Sequence, residues 1–356
     1  MPDPHPRDRH GRPLGVLRLS LTARCNLACP YCLPDGSEPP GLLSQAQRLA
    51  VVAAAVALGA RRLRLTGGEP LLHPGVEALI AAAGPLRAPG PAPGTDLREI
   101  SLTSNGALLT AARARALRAA GLDRLTLSLD GASGAAVAAM AGLTGGAAAG
   151  EALLAKVLAA IDHARAAGFD PATGALKINA VIQRGRNDDQ LLPLAALARE
   201  RGVELRLIEF MDVGNRNGWR PEAVLSASEM VERIGAQWPL EPLGRDAHGT
   251  ASRWRYRDGA GHLAVVASVS NPFCGDCNRL RVTADGLAYT CLFAAPASGL
   301  DLRPWLAPGV PARELREAIA GLWRSRGDRW SEERREAWRQ GPPPPVRHAE
   351  MAYLGG

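Results

Sequence analysis

Aromatic residues make up only 4% of the 356-residue chain, too few to interleave with its basic residues as stacking platforms for single-stranded nucleic acid. Lysine is almost missing: of 42 basic residues only Lys156 and Lys177 are lysine, and the rest are arginine. The longest apolar run, Leu49 to Leu58, falls short of the roughly 18 to 20 residues that cross a bilayer, so no membrane helix and no membrane partner are expected. The first 13 residues mix Pro, Asp, His and Arg and lack the apolar stretch of a secretory signal, so a cytoplasmic location is expected. Six cysteines are too few for a disulfide scaffold in a chain this long and read first as metal ligands or redox groups.

What is present is globular. Hydrophobic residues at 46% and charged residues at 22% exclude a disordered or fibrous chain. A net charge of +7 favours an anionic partner, either nucleic acid or a phosphorylated small molecule.

Short Leu- or β-branched-rich runs alternate with longer Ala-rich stretches of helical periodicity, the pattern of βα units around a parallel sheet. Six strands are predicted at Val16 to Ser20, Leu63 to Thr66, Ile100 to Thr103, Leu125 to Leu129, Ile178 to Ile182 and Leu205 to Glu209. Helices are predicted at Ser44 to Leu58, Val76 to Ala83, Ala111 to Ala120, Glu151 to Ala167 and Asp189 to Arg201. Each strand is followed by polar or cysteine-bearing residues, and βα barrels build their sites at the carboxyl ends of strands. The expected fold is therefore α/β, an incomplete (β/α)6 barrel of the TIM type with an open side and a small C-terminal domain.

The Gly/Pro/Ala stretches Gly84 to Gly94 and Gly131 to Gly150 read as loops or poorly specified helix. Past Trp238 the rhythm changes to hairpin strands at Arg253 to Arg257 and His262 to Ser268. This divides the chain into a barrel at 1–240, a C-terminal domain at 241–340 and a tail at 341–356. The four prolines within Gln340 to Val346 are expected to form a stiff tether for a tail ending in Gly355-Gly356.

The cysteines fall into two triplets, Cys25-x3-Cys29-x2-Cys32 and Cys274-x2-Cys277-x13-Cys291. Three thiolates in one loop hold three irons of a four-iron cluster and leave one iron open. Structural zinc, the plainer alternative, usually takes four protein ligands. The run Ser20-Leu-Thr-Ala-Arg-Cys25-Asn-Leu-Ala-Cys29-Pro-Tyr-Cys32 resembles the radical S-adenosylmethionine (SAM) superfamily. That resemblance implies a [4Fe-4S] cluster whose open iron chelates SAM for reductive cleavage to a 5′-deoxyadenosyl radical. It also places Gly68 of Gly67-Gly68-Glu69-Pro70 at the methionine ammonium, Tyr31 near the nucleoside, Ser128 at the ribose or carboxylate and Met211 at the adenine. Core packing is the commoner fate of a methionine such as Met211.

The second triplet sits in Asn271-Pro-Phe-Cys274-Gly-Asp-Cys277-Asn-Arg279-Leu280-Arg281, followed by Cys291-Leu-Phe. Together with the Gly-Gly terminus, this run resembles the GTP 3′,8-cyclases of molybdenum cofactor biosynthesis, from about Gly11 onward. The resemblance implies a second [4Fe-4S] cluster that binds the guanine of GTP, and a C3′ radical that attacks C8. It implies GTP contacts at Arg18, Arg64, Thr103, Lys177, Arg279, Leu280 and Arg281; arginine forks suit phosphate because they bond two oxygens at once. It further brings in an electron donor of the flavodoxin or ferredoxin kind, the next enzyme of the pathway and a homodimeric assembly as partners, and in that family the Gly-Gly tail reaches the active site.

The resemblance departs at two positions: Ala23 stands where Asp is usual and His73 where Arg is usual, and neither removes a ligand. Two other function classes compete. A peptide-modifying radical enzyme would normally carry more cysteines in its second domain. A basic nucleic-acid-binding module would bind with strong salt dependence, and the scarcity of aromatics counts against it.

Overall fold

The computed structural model describes residues 5–34, 36–90, 92–338 and 347–355. The proline tether and Gly356 lie outside the described residues. Six parallel strands run in chain order: β1 (Val16–Ser20), β2 (Arg62–Thr66), β3 (Glu99–Ser104), β4 (Arg124–Ser128), β5 (Leu176–Ile182) and β6 (Glu204–Glu209). They match the predicted strands to within two residues at each end. Between them stand α1 (Gln45–Ala57), α2 (Val76–Ala83), α3 (Ala111–Ala119), α4 (Gly134–Ala141), α5 (Gly146–Ala166) and α6 (Leu191–Glu200), and α7 (Ala227–Gln237) follows β6.

The segment beyond residue 240 does not form a layer of its own. It supplies β7 (Leu240–Arg245), β8 (Ser252–Tyr256), β9 (His262–Val266), β10 (Arg279–Val282), β11 (Leu287–Tyr289) and β12 (Leu300–Asp301) to the same sheet. β9 pairs in parallel with β6, and β10 pairs in parallel with β1, so the barrel strands gain a parallel neighbour on each flank. The remaining strands turn outward as antiparallel hairpins, and the twelve-stranded sheet stays open. Helices α8 (Ala312–Ser325), α9 (Trp330–Trp338) and α10 (Met351–Leu354) complete the chain. Among the described residues no single helix is long and apolar enough to cross a membrane.

Strand alternation divides the sheet into two faces. Leu17, Leu19, Leu63, Leu65, Ile100, Leu102, Leu125, Leu127, Ile178, Leu205 and Leu207 are buried in one apolar cluster with the helices. The alternate positions are mostly polar, carrying arginine, lysine, asparagine, serine, threonine or acid, and line the concave side, the lumen.

The stretch at 131–150, expected as loop or poorly specified helix, holds α4 and the start of α5, joined by a turn at 142–145. Ser133 caps α4 by accepting the Ala136 N–H, and α5 begins five residues before its predicted start. The glycines there serve close packing: a Cβ on Gly150 would lie 1.8 Å from the Gly134 carbonyl. Composition signalled a turn where the helices needed small residues to touch.

Glu209, at the end of β6, is fully buried and ties three segments together. Its carboxylate accepts N–H bonds from Ala227 at 2.7 Å, Val269 at 2.7 Å and Ser270 at 2.9 Å. It thereby fixes the start of α7 and the loop leading to the second cysteine triplet. Each donor stripped of its partner costs about 1–3 kcal/mol. Glu209→Ala is therefore expected to lower unfolding free energy by about 3 kcal/mol or more, read from the denaturant midpoint; a loss within about 0.5 kcal/mol, the range of ordinary surface changes, would contradict this role.

Candidate active site in the barrel lumen

The loop after β1 carries Cys25, Cys29 and Cys32, all half-buried and free of disulfides. It is anchored by backbone: Leu21 N donates to Thr66 O at 2.9 Å, Gly68 N to Thr22 O at 2.8 Å and Glu69 N to Arg24 O at 2.8 Å. Glu69 is buried, and its carboxylate collects Leu71 N, Ser104 Oγ and Asn105 N at 2.8–2.9 Å. The Gly-Gly-Glu turn thus binds the ends of β2 and β3 to the cysteine loop. At the two departures from the family pattern, the Glu38 carboxylate accepts the Ala23 N–H at 2.9 Å, and His73 Nε2 lies 2.5 Å from Arg48 Nη1. A carboxylate and a guanidinium are therefore present beside those positions, supplied by other residues.

Burial pushes the Cys25 thiol up, Cys29 well up and Cys32 up to about 12. Such thiols are poor nucleophiles and become thiolates when a metal displaces the proton. Leu27 N and Asn105 Nδ2 point at Cys25 Sγ, at 3.4 and 3.9 Å. Tyr31 donates its hydroxyl to Asp130 at 2.6 Å, and Asp130 also accepts Val181 N at 2.8 Å. Burial raises Asp130 to about 6. A cavity of about 40 Å3 beside this group is lined by Cys29, Tyr31, Asn105, Ser128, Asp130 and others. Met211 is half-buried in the loop after β6, and its carbonyl accepts Asn217 Nδ2 at 3.0 Å.

The second triplet lies at the other end of the lumen. Cys274 and Cys277 precede the start of β10, which runs parallel to β1, and Cys291 follows β11, which runs back beside β10. Cys277 Sγ accepts Arg279 Nε at 3.3 Å and Cys291 Sγ accepts Phe293 N at 3.5 Å. Burial raises Cys277, but Arg279 and Arg326 outweigh it and hold the thiol down to about 6; burial takes Cys291 up to about 12. A cavity of about 290 Å3 adjoins Cys291, Arg326, Asp328 and Trp330.

Between the triplets the lumen is cationic. Strand register sets Arg281, Arg18 and Arg64 side by side, followed by Ser101 and Arg124. Burial and the neighbouring Arg281, Arg64 and Arg279 lower Arg18 well below its ordinary value, and burial first, then Arg206 or Arg279, brings Arg64 and Arg281 down to about 10. The Gly355 carbonyl accepts Arg18 Nη2 at 2.8 Å and Arg281 Nη1 at 3.4 Å, so the described part of the tail enters the lumen. Thr66 Oγ1, Asn179 Oδ1 and Arg206 Nε are buried there without hydrogen-bond partners, polar atoms of the kind that a ligand satisfies.

Thr103 shares this face through its register with Thr126. Lys177 is buried and donates to Glu204 at 2.6 Å; it holds an ion pair as well as facing the lumen. Leu280 is the exception among the expected contacts. Alternation puts its side chain on the opposite face from Arg279 and Arg281, fully buried in the apolar core beside Leu17. Arg124, Glu204, Arg206, Arg253 and Asn179 complete the lumen and were not singled out in the sequence. The signal for them was the polar-apolar alternation within strands such as Glu204-Leu-Arg206-Leu.

The donor sets are all sulfur, three per triplet, one short of the four protein ligands that structural zinc takes. With N–H groups aimed at the sulfurs, the residues fit iron–sulfur clusters better than structural zinc. Gly68 packs so tightly that a Cβ would lie 2.2 Å from the Arg24 carbonyl, which displaces the loop opening the first triplet. Gly68→Ala is expected to lose about four irons per chain on reconstitution, with far-ultraviolet circular dichroism unchanged; full iron uptake would contradict the packing argument.

Comparison with known proteins places this geometry. The sequence model of the radical SAM superfamily matches residues 19–198, and that of molybdenum cofactor synthesis C matches residues 203–332. A GTP 3′,8-cyclase of Synechococcus sp. (strain CC9605) is 61% identical over 98% of both chains. One from Synechococcus sp. (strain WH7803) is 58% identical over 100% of this chain and 99% of its own, and one from Xanthomonas axonopodis pv. citri (strain 306) is 45% identical over 98% of both. Among solved structures, Streptococcus suis SuiB bound to precursor peptide SuiA aligns with a TM-score of 0.61 at 12% identity, over 92% of this chain and 68% of that one; this likeness is one of fold. The chain therefore belongs to the GTP 3′,8-cyclase family of the radical SAM superfamily.

Proposed function

We propose that this chain is a GTP 3′,8-cyclase, a radical SAM enzyme that converts GTP into (8S)-3′,8-cyclo-7,8-dihydroguanosine 5′-triphosphate, the first step of molybdenum cofactor biosynthesis. The observation that carries it is the lumen itself, with cysteine triplets at opposite ends and arginines between them. A polyanion with a base at one end and a reactive ribose toward the other suits that arrangement.

Cys25, Cys29 and Cys32 would hold one [4Fe-4S] cluster and Cys274, Cys277 and Cys291 a second, each with one iron free of protein. When bound, the first cluster with SAM supplies one-electron cleavage of the sulfonium for hydrogen abstraction, and the second offers the guanine an iron to bind. Tyr31, fixed by its bond to Asp130, and Ser128 flank the nucleoside side, with Gly68 contributing backbone and Met211 an apolar contact. Arg18, Arg64, Arg279 and Arg281 hold the triphosphate, and Thr103 and Lys177 add single contacts. Leu280 contributes through its backbone alone. Holding SAM and GTP between fixed strands would make hydrogen abstraction from the ribose effectively unimolecular, and the tail, with Gly355 on Arg18 and Arg281, shields the lumen from water.

The reading calls for an external one-electron donor of the flavodoxin or ferredoxin kind. A second copy of the chain and the next enzyme of the pathway are its proposed macromolecular partners, and the cytoplasm its proposed location.

Two predictions test the division of labour and the lumen charge. Cys25→Ala is expected to abolish 5′-deoxyadenosine formation, whereas Cys277→Ala should cut cyclised nucleotide and retain part of SAM cleavage; equal loss in both variants would overturn the assignment. Lys177 is lowered to about 8 by burial and Arg206, against the opposing pull of Glu204. It therefore loses its charge as pH rises through about 8, and GTP affinity should fall by about tenfold, about 1.4 kcal/mol for one charged contact. Calorimetric titration from pH 7 to 9 should show that fall in the native chain and a flat profile in Lys177→Gln.

A further inference from the structure

The N-terminal segment preceding β1 is threaded between the second cysteine loop and the end of α8. Arg12 donates through Nη1 to the Cys274 carbonyl at 2.7 Å. Arg326 donates through Nη1 to the Cys277 carbonyl at 2.7 Å. Asp8 stands between the two guanidiniums: its Oδ2 lies 2.5 Å from Arg12 Nε and 3.7 Å from Arg326 Nη1, and its Oδ1 accepts the backbone N–H of His10 and Arg12 at 2.9 Å. On the far side, Arg326 pairs with Asp328 at 3.0 Å, and Asp328 accepts the hydroxyl of Thr290, the residue before Cys291, at 2.6 Å. One connected network therefore reaches all three cysteines of the triplet through their carbonyls or nearest neighbour.

This network is interior. Asp8, Arg12 and Arg326 are at most 6% exposed. Trp323, fully buried, donates to the Arg12 carbonyl at 3.0 Å and lies under the Arg326 guanidinium at 4.7 Å. Arg9 N donates to Arg326 O at 3.1 Å, so the two arms are stapled by backbone as well. Burying two cations against Asp8 and the partly exposed Asp328 carries a desolvation cost that only well-placed hydrogen bonds repay. Here they supply charge-assisted bonds to ligand-loop carbonyls, and Arg12 Nη2 remains a buried donor without a partner beside that loop.

We propose that Arg12 and Arg326, bridged by Asp8, are positioning residues for the second cluster: they fix the Cys274 and Cys277 backbones in ligating position and keep positive charge against the site. The inference rests on the reading of Cys274, Cys277 and Cys291 as cluster ligands. It assigns the segment at 8–12 to that site, although it lies more than 260 residues away in sequence.

The test is anaerobic reconstitution of the full chain with iron and sulfide, counting iron and recording the reduction midpoint of each cluster by electron paramagnetic resonance. About eight irons in the native chain are expected; about four would overturn the ligand reading itself, whatever the arginines do. Given about eight, Arg12→Ala should keep the first cluster and its SAM-dependent spectral change while losing about half the iron. Where the second cluster is retained, its midpoint should move more negative with the first unchanged, because a cation favours the reduced, more anionic state. Asp8→Asn, which preserves shape and removes the bridging anion, should lose second-cluster iron selectively to a smaller degree or, where the cluster is retained, move its midpoint more positive because the uncovered guanidiniums favour the reduced state, and it decides the matter if Arg12→Ala fails to fold. Full iron with both midpoints unchanged, or equal loss of both clusters in Asp8→Asn, would overturn the proposal.

Discussion

Like charges confined in the barrel lumen govern the rest of the structure. Two guanidiniums about 4 Å apart repel by about 4 kcal/mol at an effective dielectric near 20, and Arg18 faces Arg64, Arg279 and Arg281 together. Few carboxylates offset them from within: Glu204 takes Lys177, Arg206 and Arg253, and Glu99 takes Arg124. The Gly355 carbonyl gives Arg18 and Arg281 a neutral acceptor. A cavity so charged gains most from a ligand that brings several negative charges at once, and binding such a ligand stabilises the folded chain in proportion.

The opposite face of the same strands makes this tolerable. Every lumen arginine on β1, β2, β4, β6 and β10 is flanked by leucine or valine that is buried against the helices. These four- to six-residue strands therefore carry two instructions at period two, one for folding and one for binding. Exchanging register by one residue would place guanidiniums in the apolar layer, so the pattern that binds anions also fixes strand pairing.

The six barrel strands were legible because each is a local apolar run with a polar ending, and the triplets because cysteine spacing is local too. Four features were not legible, each because it depends on pairing, packing or alternation that a contiguous motif does not carry. The parallel pairing of β9 and β10 on the barrel flanks joins residues 263 to 205 and 280 to 17, which periodicity cannot reveal. The helix α4 hid behind glycines whose purpose was contact with α5. Lys177 stood out in a chain with two lysines, but its counter-ion Glu204 lies on the next strand, and only register places them together. Leu280 was carried along with its arginine neighbours because a contiguous motif ignores the alternation that sends its side chain to the other face.

The two cysteine triplets share a ligand count and differ in their electrostatic setting. The first is surrounded by acids: Glu69, Asp130 and Glu350 all add to the burial that disfavours its thiolates. The second is mixed: Arg279 and Arg326 stabilise a thiolate at Cys277, while burial, with Glu332 beside Cys274 and Asp328 beside Cys291, pushes those two thiols up. Anionic surroundings make added electrons harder to hold and so favour passing them on; cationic surroundings favour retaining them. On the proposed reading, the triplet that would pass on an electron and the triplet that would hold the substrate base differ most at Cys29 and Cys277, with Asp130 beside the one and Arg279 and Arg326 beside the other, and that contrast is written in residues outside both cysteine motifs.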